Sequence, residues 1–172
     1  MISVVILAQV LLQSFYGLGG AVTSPGVVSI TQQATAIPGV KAAPISYYDQ
    51  WPQTVSPIEA LSASTKVILF GYSCGVGSTA QVANAVYPRK VYLVAIQGSV
   101  YCPPPTSKSN IAFAQETYNP SFLMTLGLGW KWYSGTPVHL IPRYDFHPYA
   151  DIDPATQNDV LGFIAAVAKG QI

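Results

Sequence analysis

Charge is the scarcest property of this chain. Of its 172 residues only 9% are charged, against roughly 25% in ordinary globular domains. The formal net charge is +1 and the few lysines and arginines are scattered, which removes the electrostatic footprint of a nucleic-acid binder. Half of the residues are hydrophobic, so the surface must be built from Ser, Thr, Asn, Gln and exposed apolar groups. Such a surface suits a lipid-like ligand, a partner subunit or self-association into a homo-oligomer. Cysteine is scarce as well: Cys74 and Cys102 are the only two. That is too few for a metal or disulfide framework readable from sequence. Each reads first as a small buried hydrophobe, with a bridge between them left open. The apolar N-terminus, "MISVVILAQVLLQSFYGLGG", is interrupted by Gln9 and Gln13 and is too short for a transmembrane helix. It also lacks a basic leader, since the first charged residue is Lys41. It therefore reads as a folded strand rather than a signal peptide, and the cytoplasm is favoured over secretion. A chain of this length fits one domain, residues 1–172, with no internal repeat.

What the chain does have is regular punctuation by Pro and Gly. An apolar segment from Val4 to Leu12 reads as a strand ending in the loop "YGLGG". Ser24-Pro25 supplies an N-cap and a first-turn proline for a helix that stops by Pro38. "GVKAAPISYYD" reads as a strand, pushed to an edge by Pro44, and Ser56-Pro57 signals a short helix reaching Ala63. Val67 to Phe70 is a continuous apolar run, as a parallel strand buried on both faces requires. Val76, Ala80, Ala83 and Val86 then recur at helical spacing. "KVYLVAIQGS", "NIAFAQETYN" and "PVHLIP" read as further strands, and Asp153-Pro154 opens a closing helix. Strands alternating with helices predict an α/β three-layer sandwich, with a mostly parallel central sheet flanked by helices.

Between the buried strand and its helix stands "GYSCG". A serine is a poor nucleophile until a base takes its proton and donors receive the oxyanion. A sharp strand-to-helix turn projects the Ser73 oxygen from the sheet and aims the Cys74 N–H at the same space. The pentapeptide alone is a weak signal; the strand before it and the helix after it supply the context the motif demands. Two histidines exist, His139 and His147. His139 lies within a strand and reads as a core or sheet-face residue. His147 lies just past that strand's C-terminal end, where ligands of open α/β sheets gather, and is the candidate base. Gly17 and Leu18 of "YGLGG" are candidates for the second oxyanion amide.

These residues resemble the α/β-hydrolase superfamily, specifically its smallest lidless members, the lipase-like and cutinase-like serine esterases. The resemblance spans nearly the whole chain in order: early strand with Gly-rich loop, "GYSCG", and a late histidine before the last helix. It implies hydrolysis of a carboxylic ester through an acyl-enzyme on Ser73, with His147 as base and an Asp or Glu between them in the sequence. It implies no metal or organic cofactor. Glu116 is the leading acid and Asp145 the second, while Asp151, Asp153 or a dyad without acid stay open. At the end of the preceding strand, where some relatives carry Asp, this chain has Gln97 and Ser99. Tyr72, Trp130 and Trp132 are candidates for substrate contact, the tryptophans within an apolar segment starting at Phe122 that packing would also explain. The competing reading is a hydrolase fold used as a binding or assembly module.

Overall fold

The computed structural model describes residues 9–99, 101–102, 105–121 and 138–172. Among the described residues six strands form one sheet, all pairings parallel, in the order β2-β1-β3-β4-β5-β6. They are β1 Val10–Phe15, β2 Val40–Ala42, β3 Lys66–Tyr72, β4 Val91–Ile96, β5 Ile111–Tyr118 and β6 Val138–Pro142. The helices are α1 Pro25–Ala34, α2 Pro52–Glu59, α3 Cys74–Ala85 and α4 Pro154–Lys169. The fold is therefore a three-layer α/β sandwich.

Period-two alternation distributes each central strand between two cores. In β3, Ile68, Phe70 and Tyr72 pack beneath Val27, Ile30, Val160 and Ile164 of α1 and α4. Val67 and Leu69 pack on the opposite face against Ile58 of α2 and Val76, Ala80 and Ala83 of α3. Both faces are covered, so the strand is apolar from Val67 to Phe70. Fully burying a side chain such as Phe70 stabilises the fold by about 1.5 to 3 kcal/mol. As expected, β2 is an edge strand.

The sheet also fixes where a site can form. From β1 the chain steps outward to β2 and then returns to the other side of β1 as β3. The loops leaving β1 and β3 consequently diverge and open a crevice at the strands' carboxyl ends. Residues 16–19 of the "YGLGG" loop and Ser73 flank that crevice.

Three local expectations change. The first strand runs Val10–Phe15, later than the Val4 to Leu12 segment, whose first residues fall outside the described ones. The second helix begins at Pro52 and carries Pro57 inside it, so Ser56-Pro57 is not its start. Trp51-Pro52 is the real first turn, a signal masked by the stronger Ser-Pro pair. Finally, Cys74 and Cys102 are joined by a disulfide and are not two free buried thiols. The bridge ties the first residue of α3 to the loop after β4. By loop-closure entropy over a separation of 28 residues, it stabilises the fold by about 3.5 kcal/mol. Reduction with dithiothreitol should lower the urea-derived unfolding free energy by about that amount, and an unchanged value would deny the bridge.

Candidate active site

Ser73 sits between β3 and α3 with φ 54 and ψ −121, a backbone conformation that L residues rarely adopt and that is retained at functional sites. Two glycines make the turn feasible. A Cβ on Gly71 would lie 2.5 Å from the Gly75 backbone, and one on Gly75 would lie 2.5 Å from the Phe15 carbonyl oxygen. Cys74 is the first residue of α3, so its N–H has no partner within the helix and points out of the helix N-terminus.

His147 opens a 3₁₀ turn, His147–Tyr149, between β6 and α4. Its Nε2 lies 2.9 Å from Ser73 Oγ, and its Nδ1 lies 3.1 Å from Gln97 Oε1. Gln97 is the residue after β4; it is fully buried, with φ 40. Its amide is oriented by its other end, because Nε2 donates to the Asp145 carbonyl at 3.2 Å. The oxygen must then face His147. An amide oxygen only accepts, so Nδ1 carries the imidazole proton and Nε2 presents its lone pair to the Ser73 hydroxyl. That is the tautomer a general base needs.

The acid expected at this position is thus an amide, and Glu116 does not occupy it. Glu116 pairs in register with Ala95, whose side chain lies in the α2 and α3 core, while His147 stacks on Tyr72, which faces α1 and α4. Strand alternation therefore turns Glu116 to the other face, where its Oε1 accepts the Gly98 N–H at 3.4 Å. The other carboxylates are engaged elsewhere. Asp145 Oδ2 meets Thr156 Oγ1 at 3.5 Å. Asp153 caps α4 by accepting the Thr156 N–H at 2.6 Å. Asp151 Oδ2 accepts the Gly26 N–H at 2.8 Å, at the start of α1. Asp151 thus accepts an N–H of the first turn that has no partner within α1, and the expected cap, Ser24, accepts the Gly17 N–H at 3.1 Å instead. His139 is exposed on β6 and is not a core residue.

The histidine loop is pinned from several sides. The Tyr72 hydroxyl donates to the His147 carbonyl, and the two rings stack at 5.3 Å. Burial, with Asp151 nearby, holds the Tyr72 hydroxyl well above its ordinary pKa, so it stays a donor. Asn119 Nδ2 joins Gln97 on the Asp145 carbonyl at 2.9 Å. Sequence reasoning missed Gln97 as the Nδ1 partner and Asn119 altogether, and weighed Asp151 only as an acid for His147 rather than as the acceptor for the Gly26 N–H. Gly26 is the tightest point of the pinning: a Cβ there would lie 1.9 Å from the Asp151 carbonyl oxygen. Gly26→Ala should therefore lower the unfolding free energy by about 1 to 3 kcal/mol, read by urea denaturation; an unchanged value would contradict the contact.

The cavity over Ser73, about 280 Å³, is walled by Leu18, Tyr72, Tyr101, His147 and Pro148. Of the two residues expected to give a β1-loop amide, Gly17's N–H already donates to Ser24, while Leu18 lines the cavity together with Cys74. Trp130 and Trp132, with the rest of the segment from Phe122, lie outside the described residues. Among the described residues no cluster of His, Cys, Asp or Glu has the makings of a metal site. Nor is any helix among them long and apolar enough to cross a membrane.

No family model and no curated protein matches this chain. Its chemistry is therefore read from its own geometry. Burial pushes the His147 pKa below its ordinary value of 6.5, and no carboxylate on Nδ1 opposes this. A base must be neutral to accept a proton, so lowering its pKa extends the active range toward acid. For any reaction using His147 as base, the acid limb of kcat/KM should fall at half-height below pH 6.5; a midpoint above it would contradict the desolvated, carboxylate-free ring.

Proposed function

We propose that this chain is a serine hydrolase of the small α/β-hydrolase type, cleaving a carboxylic ester with an apolar acyl part through an acyl-enzyme on Ser73. The observation that carries the reading is the 2.9 Å contact between Ser73 Oγ and His147 Nε2 at a turn where Ser73 holds a positive φ of 54. In the proposed reaction Ser73 Oγ attacks the ester carbonyl as His147 takes its proton. The N–H groups of Cys74 and Leu18 receive the oxyanion, and the acyl part lies against Tyr72, Tyr101 and Pro148. His147 then protonates the leaving alcohol, and the same nitrogen activates the water that releases the acid. Gln97 holds the ring and its tautomer but, being neutral, does not offset the imidazolium charge. A weaker esterase than one with a carboxylate there is the consequence.

That amide also favours the second reading, a hydrolase fold whose catalysis has been lost and which binds ligands or partners. The two separate on hydrolysis of p-nitrophenyl butyrate. The esterase reading requires saturable turnover that disappears in Ser73→Ala; folded protein no faster than that variant supports the binding module. The Cys74–Cys102 disulfide supports an oxidising compartment over the cytoplasm expected from the sequence.

A further inference from the structure

The proposed reaction leaves one charge to be accounted for. On taking the Ser73 proton, His147 becomes an imidazolium in a site whose burial already disfavours the charged ring. Gln97 at Nδ1 is a neutral amide. Among the described residues no ion pair reaches His147, and the charged side chains of the elements packed around it are turned elsewhere. Asp145 meets Thr156, Asp153 caps α4, and Asp151 accepts the Gly26 N–H. Glu116 lies on the other face of the sheet, and Arg143 pairs with Asp159. Tyr101, which lines the same cavity, and Tyr72 are phenols.

What does lie against the imidazole is the Tyr72 ring. The two are stacked, with centroids 5.3 Å apart and planes inclined by 30°, so the imidazole meets the face of the phenol and not its edge. The face is the negative part of an aromatic quadrupole. A cation within about 6 Å of the ring centroid is attracted to it, and more strongly where water is excluded. Both conditions hold here. Tyr72 projects from the central strand β3 into the core beneath α1 and α4 and is only 3% exposed. Its hydroxyl donates to the His147 carbonyl, which ties the phenol to the backbone of the residue whose side chain it faces.

We infer that the Tyr72 ring is a positioning residue that also stabilises the His147 imidazolium, its π face standing in for the carboxylate that Nδ1 lacks. The consequence for turnover rests on the hydrolase reading; the ring contact does not. No bond forms to Tyr72. The proton moves from Ser73 Oγ to His147 Nε2 during attack and from there to the leaving alcohol, so positive charge rests on the imidazole between the two transfers. The phenol keeps its own proton, because burial, with Asp151 nearby, holds its hydroxyl well above the ordinary pKa. A π face offsets less charge than an anion does, which agrees with a weak esterase.

Two rings of nearly equal shape test the inference. Tyr72→Phe drops the hydroxyl and keeps the negative face; replacing Tyr72 by trifluorophenylalanine keeps the bulk while fluorine withdraws that charge. With the hydroxyl absent from both, and melting temperatures compared to confirm equal folding, the difference between them reads the face alone. The imidazolium is the form that the face stabilises, so weakening the face lowers the pH at which it forms. Relative to Tyr72→Phe, the fluorinated ring should lower the His147 titration midpoint, read by NMR from the Cε1 proton, by about one pH unit. It should also lower kcat for p-nitrophenyl butyrate by about tenfold with KM unchanged. A midpoint equal in the two proteins, or raised by fluorination, overturns the inference, and so does an unchanged kcat at a lowered midpoint. Absence of turnover in the wild-type protein would count against the hydrolase reading, and the NMR titration would still decide the ring contact.

Discussion

Replacing Ser73 with alanine is expected to lower kcat for p-nitrophenyl butyrate by about 10⁴, with circular dichroism and melting temperature unchanged. The magnitude follows from what the site holds. A complete serine, histidine and acid set is worth about 10⁶ in kcat, and losing the acid together with the right tautomer costs about 10⁴ of it. Here the amide of Gln97 keeps the tautomer without the charge, so part of that loss is avoided. Ser73 is nearly buried, and removing one hydroxyl leaves a small apolar group, which protects the fold in the variant. His147→Ala should cost a similar factor, and the double variant little more, because the two groups act as one unit. Additive losses would mean that they do not.

Gln97→Leu is expected to lower kcat by about 10- to 100-fold with KM little changed. The substitution keeps the bulk and removes the acceptor at 3.1 Å from His147 Nδ1. A buried N–H left without its partner costs about 1 to 3 kcal/mol, and the ring recovers that by rotating or by moving its proton to Nε2. Either change takes the lone pair from Ser73. Gln97→Glu gives a readout that a purely structural role would not move. A carboxylate beside Nδ1 favours the imidazolium, so the acid limb of the pH profile should shift upward. An unmoved limb in Gln97→Glu would show that residue 97 does not govern the base.

The parts of this site that were legible in sequence are those written in local pattern. Val67 to Phe70, the two glycines and the helical spacing after Ser73 define strand, turn and helix within one stretch, and His147 stood out because histidines are so few. The position of Gln97 was visible, but a glutamine carries no mark of orienting an imidazole; the role comes from the Asp145 carbonyl, brought to it from 48 residues away. Glu116 looked suitable because its strand and place in the chain order fit. One residue of β register sends its side chain to the other face. The Asp151 contact with α1 spans 125 residues, and the cysteine bridge likewise depends on two loops meeting at the same sheet end. Long-range pairings of this kind have no local signature.

The central claim is that Ser73 is an activated nucleophile, and the most direct measurement is covalent labelling by a fluorophosphonate followed by intact-mass analysis. The account predicts one adduct on the wild-type chain, mapped to Ser73, absent in Ser73→Ala and formed far more slowly in His147→Ala. Folded wild-type protein that takes up no label, or label that persists in Ser73→Ala, would contradict it.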